Sequence, residues 1–453
     1  MNRRVAWMAF IRGAIALSGL VLMAGGTLLA AQAGTPVNSG KTASQMNVDD
    51  IDCEPATQAS PYIPVDSWVY PAVLRLYSLG YVDTVYLNMR PWTRASLGHM
   101  LEETADILAD ENNDSTTAEA QKLYDALKRE ADFFDENSCA TQKASVTEES
   151  VYSAMRGITG TPLRDSFHLG STIINDYGRP YANGFNNYSG ASGYASAGRY
   201  LLYVRGEFHA APSMTGYSSG LASVLEYFDG TTYYYNPACW GNESTPTAAC
   251  IPMPDKQQTT MPLGVVASTT NARIMEAYVS AQYLNNVFSF GKQDDWLGPG
   301  LGGGMAYSNN AENIYSFRIN RIEPLQVPFL SRLTGPFRYE FLIGSLKGHT
   351  YPADPWVHLE MVSFRPTRNL EFGFERTVIW GGKGHVPVTL KTFLRSFISL
   401  TAPQPAGKNS PADPGARFGA FDFSYRLPFV RNWLTLYTDM EAHDEVSPSD
   451  APR

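Results

Sequence analysis

Cysteine, histidine and charge are all scarce in this chain. Its 453 residues include 4 cysteines and 7 histidines, and charged side chains make up only 17%. No Cys or His spacing matches a zinc site, so neither a metal nor a cofactor is expected. Basic side chains are in the minority, with 35 Lys and Arg against 44 Asp and Glu and a formal net charge of −9. Phosphate binding needs a basic stripe, and its lack excludes a nucleic-acid partner. The imbalance sits in one place: between Glu102 and Glu136 twelve acidic residues face only Lys122, Lys128 and Arg129. Beyond the first thirty or so residues, no apolar stretch is long enough to cross a bilayer as a helix. If the chain enters a membrane it must do so as strands, because only helices and closed barrels satisfy every backbone group in lipid.

Catalytic patterns are missing as well, and no enzyme is expected. A Gly-x-Ser-x-Gly elbow is absent. The run from Gly381 to Gly384 lacks the spacing and the following Ser or Thr of a phosphate loop. Asp294 and Asp295 beside Trp296 suggest a glycosidase pair, but neighbours on a strand end point to opposite sides and no second carboxylate lies at working distance.

What the chain does have begins with an export signal. Asn2-Arg3-Arg4 precede an apolar, small-residue stretch from Gly13 to Ala30, and Ala31-Gln32-Ala33 forms an A-x-A cleavage site before Gly34. Arg12 and four glycines within that stretch disfavour a spanning helix. Export makes disulfides accessible to Cys53, Cys139, Cys239 and Cys250. Of the three possible pairings, the economical one joins Cys53 to Cys139 and Cys239 to Cys250.

Residues 34–60 read as a polar linker. A helical period follows, and it predicts a small periplasmic α-helical domain over residues 61–155. Its first helix carries Val69, Val73 and Leu76, tolerates Pro71 in its first turn and stops at Gly80. A second helix opens at Thr93. A third opens on the capping box Thr116-Thr117-Ala118-Glu119.

From residue 156 to 453 the period becomes two. Strands are predicted at 168–177, 199–210, 273–283, 287–292, 314–322, 337–346, 356–364, 370–379, 417–427 and 433–442, with lengths suited to a tilted barrel wall. Phe337, Tyr339, Phe341 and Ile343 oppose Arg338, Glu340, Leu342 and Gly344, and Phe421, Phe423 and Tyr425 oppose Asp422, Ser424 and Arg426. A soluble sandwich would show the same alternation with its faces reversed. The export signal, the 26 Tyr and 22 Phe, and the alternation of long Gly/Asn/Pro loops with tight turns favour an antiparallel outer-membrane β-barrel of a Gram-negative bacterium. Residues 441–453 read as a loop, so the barrel is expected to lack its last strands in this chain. A monomer in contact with outer-membrane lipid is expected.

Inward charges of both signs, Arg318, Arg338, Glu340, Glu371 and Glu375 together with Arg273, Glu360, Asp422 and Arg426, predict a salt-bridge lattice filling the lumen. His168, His209, His358 and His443 fall on predicted strands, with lumen-facing or interfacial roles. The stretch from Phe288 to Asn310 is different: Gly, Trp and Asn collect where a strand ends, a composition that presents a surface. Asp294, Asp295, Trp296, Asn309 and Asn310 are its candidate polysaccharide-binding residues, the indole for stacking on sugar rings and the others for hydroxyl groups.

These residues carry a family resemblance. Gly291-Lys292-Gln293, then Trp296-Leu297-Gly298-Pro299-Gly300, then Ser308-Asn309-Asn310 with Arg318 on the next strand resemble the Wzi-type capsule assembly proteins of bacterial outer membranes, from about residue 61 onward. Leu297 departs from the second Trp that the pattern would have. The resemblance implies a barrel occluded by its helical domain and a lectin-like outer face that holds capsular or exopolysaccharide. A second resemblance competes. Asp66-Ser67-Trp68, Leu79-Gly80-Tyr81 and Arg90-Pro91-Trp92-Thr93-Arg94-Ala95 are similar to a surface-layer-homology repeat, with Ser96 in place of the usual acidic residue. That implies a wall-tethered porin, against which the acidic third helix argues through like-charge repulsion.

Overall fold

The structure, a computed structural model, describes residues 59–110, 115–131, 144–159, 173–216, 218, 220, 264–347, 354–382, 386–398 and 415–443. The export signal, the four cysteines and the last ten residues lie outside the described residues.

Three helices come first: α1 (Val69–Leu79), α2 (Arg94–Asp110) and α3 (Ser115–Ala131). Gly80 ends α1 with φ 91°, a left-handed position that suits glycine, and the amides of Gly80 and Tyr81 close back on the Tyr77 and Leu76 carbonyls. Thr93 opens α2 by accepting the Ser96 amide hydrogen at 3.0 Å. Glu119, expected to close a capping box on α3, instead takes a two-pronged bond from Arg75 of α1 at 2.7 and 2.9 Å. The apolar faces of the helices meet in a core around Val69, Tyr70, Leu76, Trp92, Leu97, Leu101 and Leu127. This is the burial rule of a water-soluble domain.

The rest of the fold is one eleven-stranded antiparallel sheet. Its strands in chain order are β1 (Ala144–Ile158), β2 (Gly184–Ala197), β3 (Tyr200–Ala211), β4 (Thr269–Tyr283), β5 (Asn286–Lys292), β6 (Tyr315–Arg321), β7 (Phe337–Ser345), β8 (Trp356–Thr367), β9 (Leu370–Trp380), β10 (Ala416–Arg426) and β11 (Thr435–His443). Each pairs with its neighbours in sequence, and among the described residues β1 and β11 are the two edges.

Two expectations need correction. The sheet begins at Ala144, inside the range assigned to the helical domain. Residues 173–177, the described part of the strand expected at 168–177, are irregular, with Asn175 and Tyr177 at positive φ. The missed strands β1 and β2 are rich in Ser, Gly and Ala, so they lack the aromatic alternation that marks β7 to β10.

The sheet is apolar outside and polar inside. On β6, Ser316, Arg318 and Asn320 are buried while Tyr315, Phe317 and Ile319 point the other way and are more exposed. Cross-strand register extends this into rows. Arg338, Ser363, Gly373 and Asp422 line the inner face, and the next row outward is Tyr339, Val362, Phe374 and Phe421. Phe374 is 52% exposed and Arg318 is fully buried. A soluble sandwich would reverse these assignments, so the wall is one that meets lipid. No helix among the described residues is long and apolar enough to cross a membrane.

Candidate functional site

The two ends of the sheet differ. At one end the connections are tight, as at Gly198-Arg199, Leu284-Asn285 and Arg368-Asn369. The other end carries the long connections, among them residues 293–314 and 381–415.

The helical domain sits at the tight-turn end and reaches inside. The Ala59 amide donates to the Gly198 carbonyl at 2.9 Å, His99 Nε2 lies 3.0 Å from a Glu323 carboxylate oxygen, and Tyr86 donates its hydroxyl to the Pro336 carbonyl at 2.8 Å. A side chain at Gly80 would press on Asn432 in the connection between β10 and β11, with Cβ only 3.0 Å from its Oδ1. Deeper in, the Leu87 and Asn88 amides both donate to the Glu371 carboxylate at 3.1 Å, and Asn88 Nδ2 donates to Asp422 at 2.8 Å. Arg426 donates to the Tyr77 carbonyl at 2.6 Å, pairs with Asp83, and lays its guanidinium 3.8 Å from the Tyr77 ring centre. Asp66 meets Arg205 of β3 through two bonds at 2.9 and 2.7 Å. Burial alone would raise the Asp66 carboxyl pKa, but the guanidiniums of Arg205 and Arg179 outweigh it and hold the group below the ordinary carboxylate value.

The segment after β5 folds inward to meet this plug. Trp296 and Leu297 pair with Arg90 and Met89 as a two-residue antiparallel ladder, and the Gly298 amide donates to the Asn88 carbonyl at 2.8 Å. Gly298 has φ 127°, and a Cβ there would come within 3.0 Å of the Gly304 backbone. Asp294 is the hub. Its carboxylate accepts the Val65 amide at 2.9 Å, the Tyr177 hydroxyl at 2.7 Å and the Asn313 side-chain amide at 2.6 Å, while its carbonyl takes Arg318 at 2.5 Å. Burial pushes its carboxyl pKa up. Burial and the neighbouring Glu340 do the same to Asp295.

This changes the reading of the five candidate binding residues. Asp294, Asp295, Trp296 and Asn309 are all buried. Trp296 packs with Val65, Tyr177 and Met275 and lies under the Arg90 guanidinium. The Asn309 carbonyl accepts the Tyr177 amide, and Asn310, half-buried, accepts the Asn175 amide through Oδ1. Gly, Trp and Asn after a strand therefore mark an inward turn that braces the plug. Composition alone cannot separate an inward from an outward loop.

Arg318, Arg338, Glu340, Glu371 and Glu375 do face the interior, but direct ion pairs are few. Arg318 lies 3.9 Å from both Asp295 and Glu340 and 4.2 Å from the Tyr62 ring centre. Arg338 donates to the Arg321 carbonyl and to Asn320, Glu340 accepts from Asn320, and Glu375 accepts from Thr377. The inner charges mostly hold backbone and amide groups. Glu360, expected in the lumen, belongs to the outer face, because its register partners are Phe341 and Arg376.

At the long-connection end, sequence reasoning missed a cluster on the inner side of β1 to β3. Arg179 grips Glu207 at 2.9 and 2.6 Å, and Glu207 also contacts His209 at 2.7 Å. Arg156, with a 37% exposed side chain, lies over the Tyr181 and Tyr188 rings at 4.9 and 5.9 Å and contacts Asp176 at 3.1 Å. It combines an accessible cation, phenol rings and a carboxylate at the rim. Arg179-Pro180-Tyr181 and Tyr188 are visible in the sequence, but only the fold brings them to Arg156. Among the described residues no group of His, Cys, Asp or Glu is placed to hold a metal.

An apolar-outside, polar-inside antiparallel wall with a helical domain bonded into its tight-turn end defines a plugged membrane β-barrel. The family model for capsule assembly protein Wzi matches residues 154–453, and the chain belongs to that family. A Klebsiella pneumoniae protein described as an uncharacterized 55.8 kDa protein in the cps region is 28% identical over 171 residues, 37% of this chain and 33% of that protein. A solved structure of Wzi from Escherichia coli, described as an outer membrane protein involved in group 1 capsule assembly and a carbohydrate-binding β-barrel, aligns with TM-score 0.53 and 16% identity. That alignment covers 85% of this chain and 64% of the other. The chain thus spans about a third of the curated relative's length.

Proposed function

We propose that this protein is an outer-membrane anchor that attaches capsular or exopolysaccharide to the surface of a Gram-negative cell, by binding and without catalysis. The observation that supports this best is the plug. A helical domain bonded to β3, β9 and β10 from within leaves the opposite end, with its long connections, as the surface offered outward. Contact falls to the rim in this reading. Arg156 offers a guanidinium to hydroxyl or carboxylate groups of the polymer, the half-buried Tyr188 ring suits a sugar face, and Asn310 adds an amide, while Tyr181 is buried beneath Arg156 and supports it. Asp294, Asp295, Trp296 and Asn309 act behind them by fixing the loop. Each contact is weak, and a long polymer is retained by engaging many monomers at once.

The test is the partition of polysaccharide between cells and medium in a deletion strain with total yield recorded. Movement into the medium at unchanged total supports the anchor, and unchanged partition sinks it. The wall-tethered porin is the second reading. Arg94, in its surface-layer-like motif, is buried and engaged by Glu130 at 2.8 Å and Glu149 at 2.7 Å, which withdraws it from any wall polymer. A porin would conduct in planar bilayers; the plugged anchor is expected to be silent.

A further inference from the structure

One short helix lies on the outer face of the wall. It is α5 (Leu390–Ile398), the second helix after the plug, following α4 (Leu330–Thr334). Beneath it the aromatic rows are interrupted. Where register places Phe341, Glu360 and Arg376 side by side, and next to them Ile343, His358 and Val378, the outward face carries three polar side chains. Left bare toward acyl chains, such groups would be costly. The helix covers them with its own polar side. Ser396 meets His358 Nε2 at 3.0 Å, and Arg376 donates to the Phe397 and Ser396 carbonyls at 2.6 and 2.8 Å, satisfying the last turn. Phe393 and Phe397 close over the His358 ring at 5.5 and 5.9 Å. Reciprocal bonds between Thr389 and Thr392 open the helix.

The other side of α5 is turned away from the protein. Leu390, Leu394 and Ile398, spaced by one turn, are 73%, 44% and 70% exposed. Lys391 and Arg395, also one turn apart, are exposed beside them. In water this apolar stripe would be unfavourable. Here it continues the lipid-facing wall, at the level of the Trp356 and Trp380 pair whose rings lie 6.3 Å apart, at the end opposite the plug. Trp356, 36% exposed, marks the boundary between acyl chains and headgroups, while Trp380 is buried against Phe393 of α5.

We propose that α5 is an interfacial seat for a phosphorylated, acylated glycolipid of the outward leaflet, with Leu390, Leu394 and Ile398 among its chains and Lys391 and Arg395 on its phosphates. The inference rests on the membrane reading and is independent of polysaccharide binding. Two basic side chains near an anionic surface strengthen association by about thirty-fold.

The full chain in mild detergent is titrated with diphosphoryl lipid A, and bound lipid is read by native mass spectrometry. Lys391→Gln/Arg395→Gln is expected to weaken lipid A binding by about thirty-fold, with phosphatidylcholine binding unchanged. Leu394→Gln, which keeps both charges, weakens it by about tenfold. Equal lipid A affinity in the native and double-variant chains, or phosphatidylcholine binding as tight as lipid A, overturns the proposal. Unchanged heat-modifiable migration on gels confirms that each variant keeps its barrel. Flotation with phosphatidylcholine vesicles tests the membrane reading separately.

Discussion

The core of the helical domain and the interior of the barrel obey opposite rules. Around Trp92 and Leu97 the buried surface is aliphatic and aromatic, and the charges of α2 and α3 other than Arg94 lie toward water. Within the barrel, Arg318, Arg338, Glu371 and Arg426 are buried and the phenylalanines look outward. The difference lies in the solvent of the outer wall. Where the surroundings are acyl chains, apolar side chains gain nothing by moving inward, and the polar ones must collect inside and satisfy each other. The junction is where the rules change, and there the plug offers backbone amides and aromatic faces to inward charges.

That contrast can be broken at several points. Asp294→Ala should cost the most, about 3–5 kcal/mol, because it strands several buried donors at once. The readout is earlier proteolysis of the helical domain and the appearance of bilayer conductance. Leu97→Ala is expected to cost about 2–5 kcal/mol, but only in the helical domain. Thermal unfolding followed by helical circular dichroism should shift while heat-modifiable migration of the barrel does not. Phe374→Arg reverses the rule on the outer wall and should cost about 2–4 kcal/mol, read as poorer folding yield into lipid vesicles.

A pH effect follows in size. Asp66 has a depressed carboxyl in the folded protein, so its bond to Arg205 contributes fully above the ordinary Asp value and is lost as pH falls through the lower folded value. Protease sensitivity of the plug should therefore rise below about pH 4, and Asp66→Asn should flatten that rise. The smallest effect belongs to the exposed Arg75 and Glu119 pair. Arg75→Ala should change helical-domain stability by no more than about 1 kcal/mol, and a larger shift would show that the pair ties α1 to α3 more firmly than its exposure suggests.

Much of the wall was legible in the sequence. From β7 to β11 the alternation of Phe or Tyr with charged residues put strands close to their final places, and Gly80 and Thr93 marked helix ends by their own chemistry. The strands β1 and β2 were not legible, because Ser, Gly and Ala carry little signal of face or period. The segment at Asp294 was recognised as special, but its inward course was not foreseen. Its turn residues show that the chain leaves the wall, but the direction depends on Val65, Tyr177 and Asn313, which lie far away in sequence. The helix α5 left only a faint trace in Thr389 and Thr392, and its inverted arrangement, apolar outward, hides in a run that resembles an ordinary loop. Glu360 shows the same limit: alternation assigns a face only when both faces are known, and the covering helix supplied what periodicity could not.

The bonds from the plug reach strands far apart in the sheet, from β3 at Arg205 to β10 at Asp422, and the inward loop reaches β11 where the Met305 amide meets Asp439 at 3.0 Å. Such bonds work like the spokes of a wheel. They fix curvature by tension toward a hub, so that the helical domain serves as a former around which the sheet bends. A hub held on several sides keeps its place when a peripheral attachment breaks, so that whatever the rim holds is held on a rigid disc rather than at the mouth of a gate.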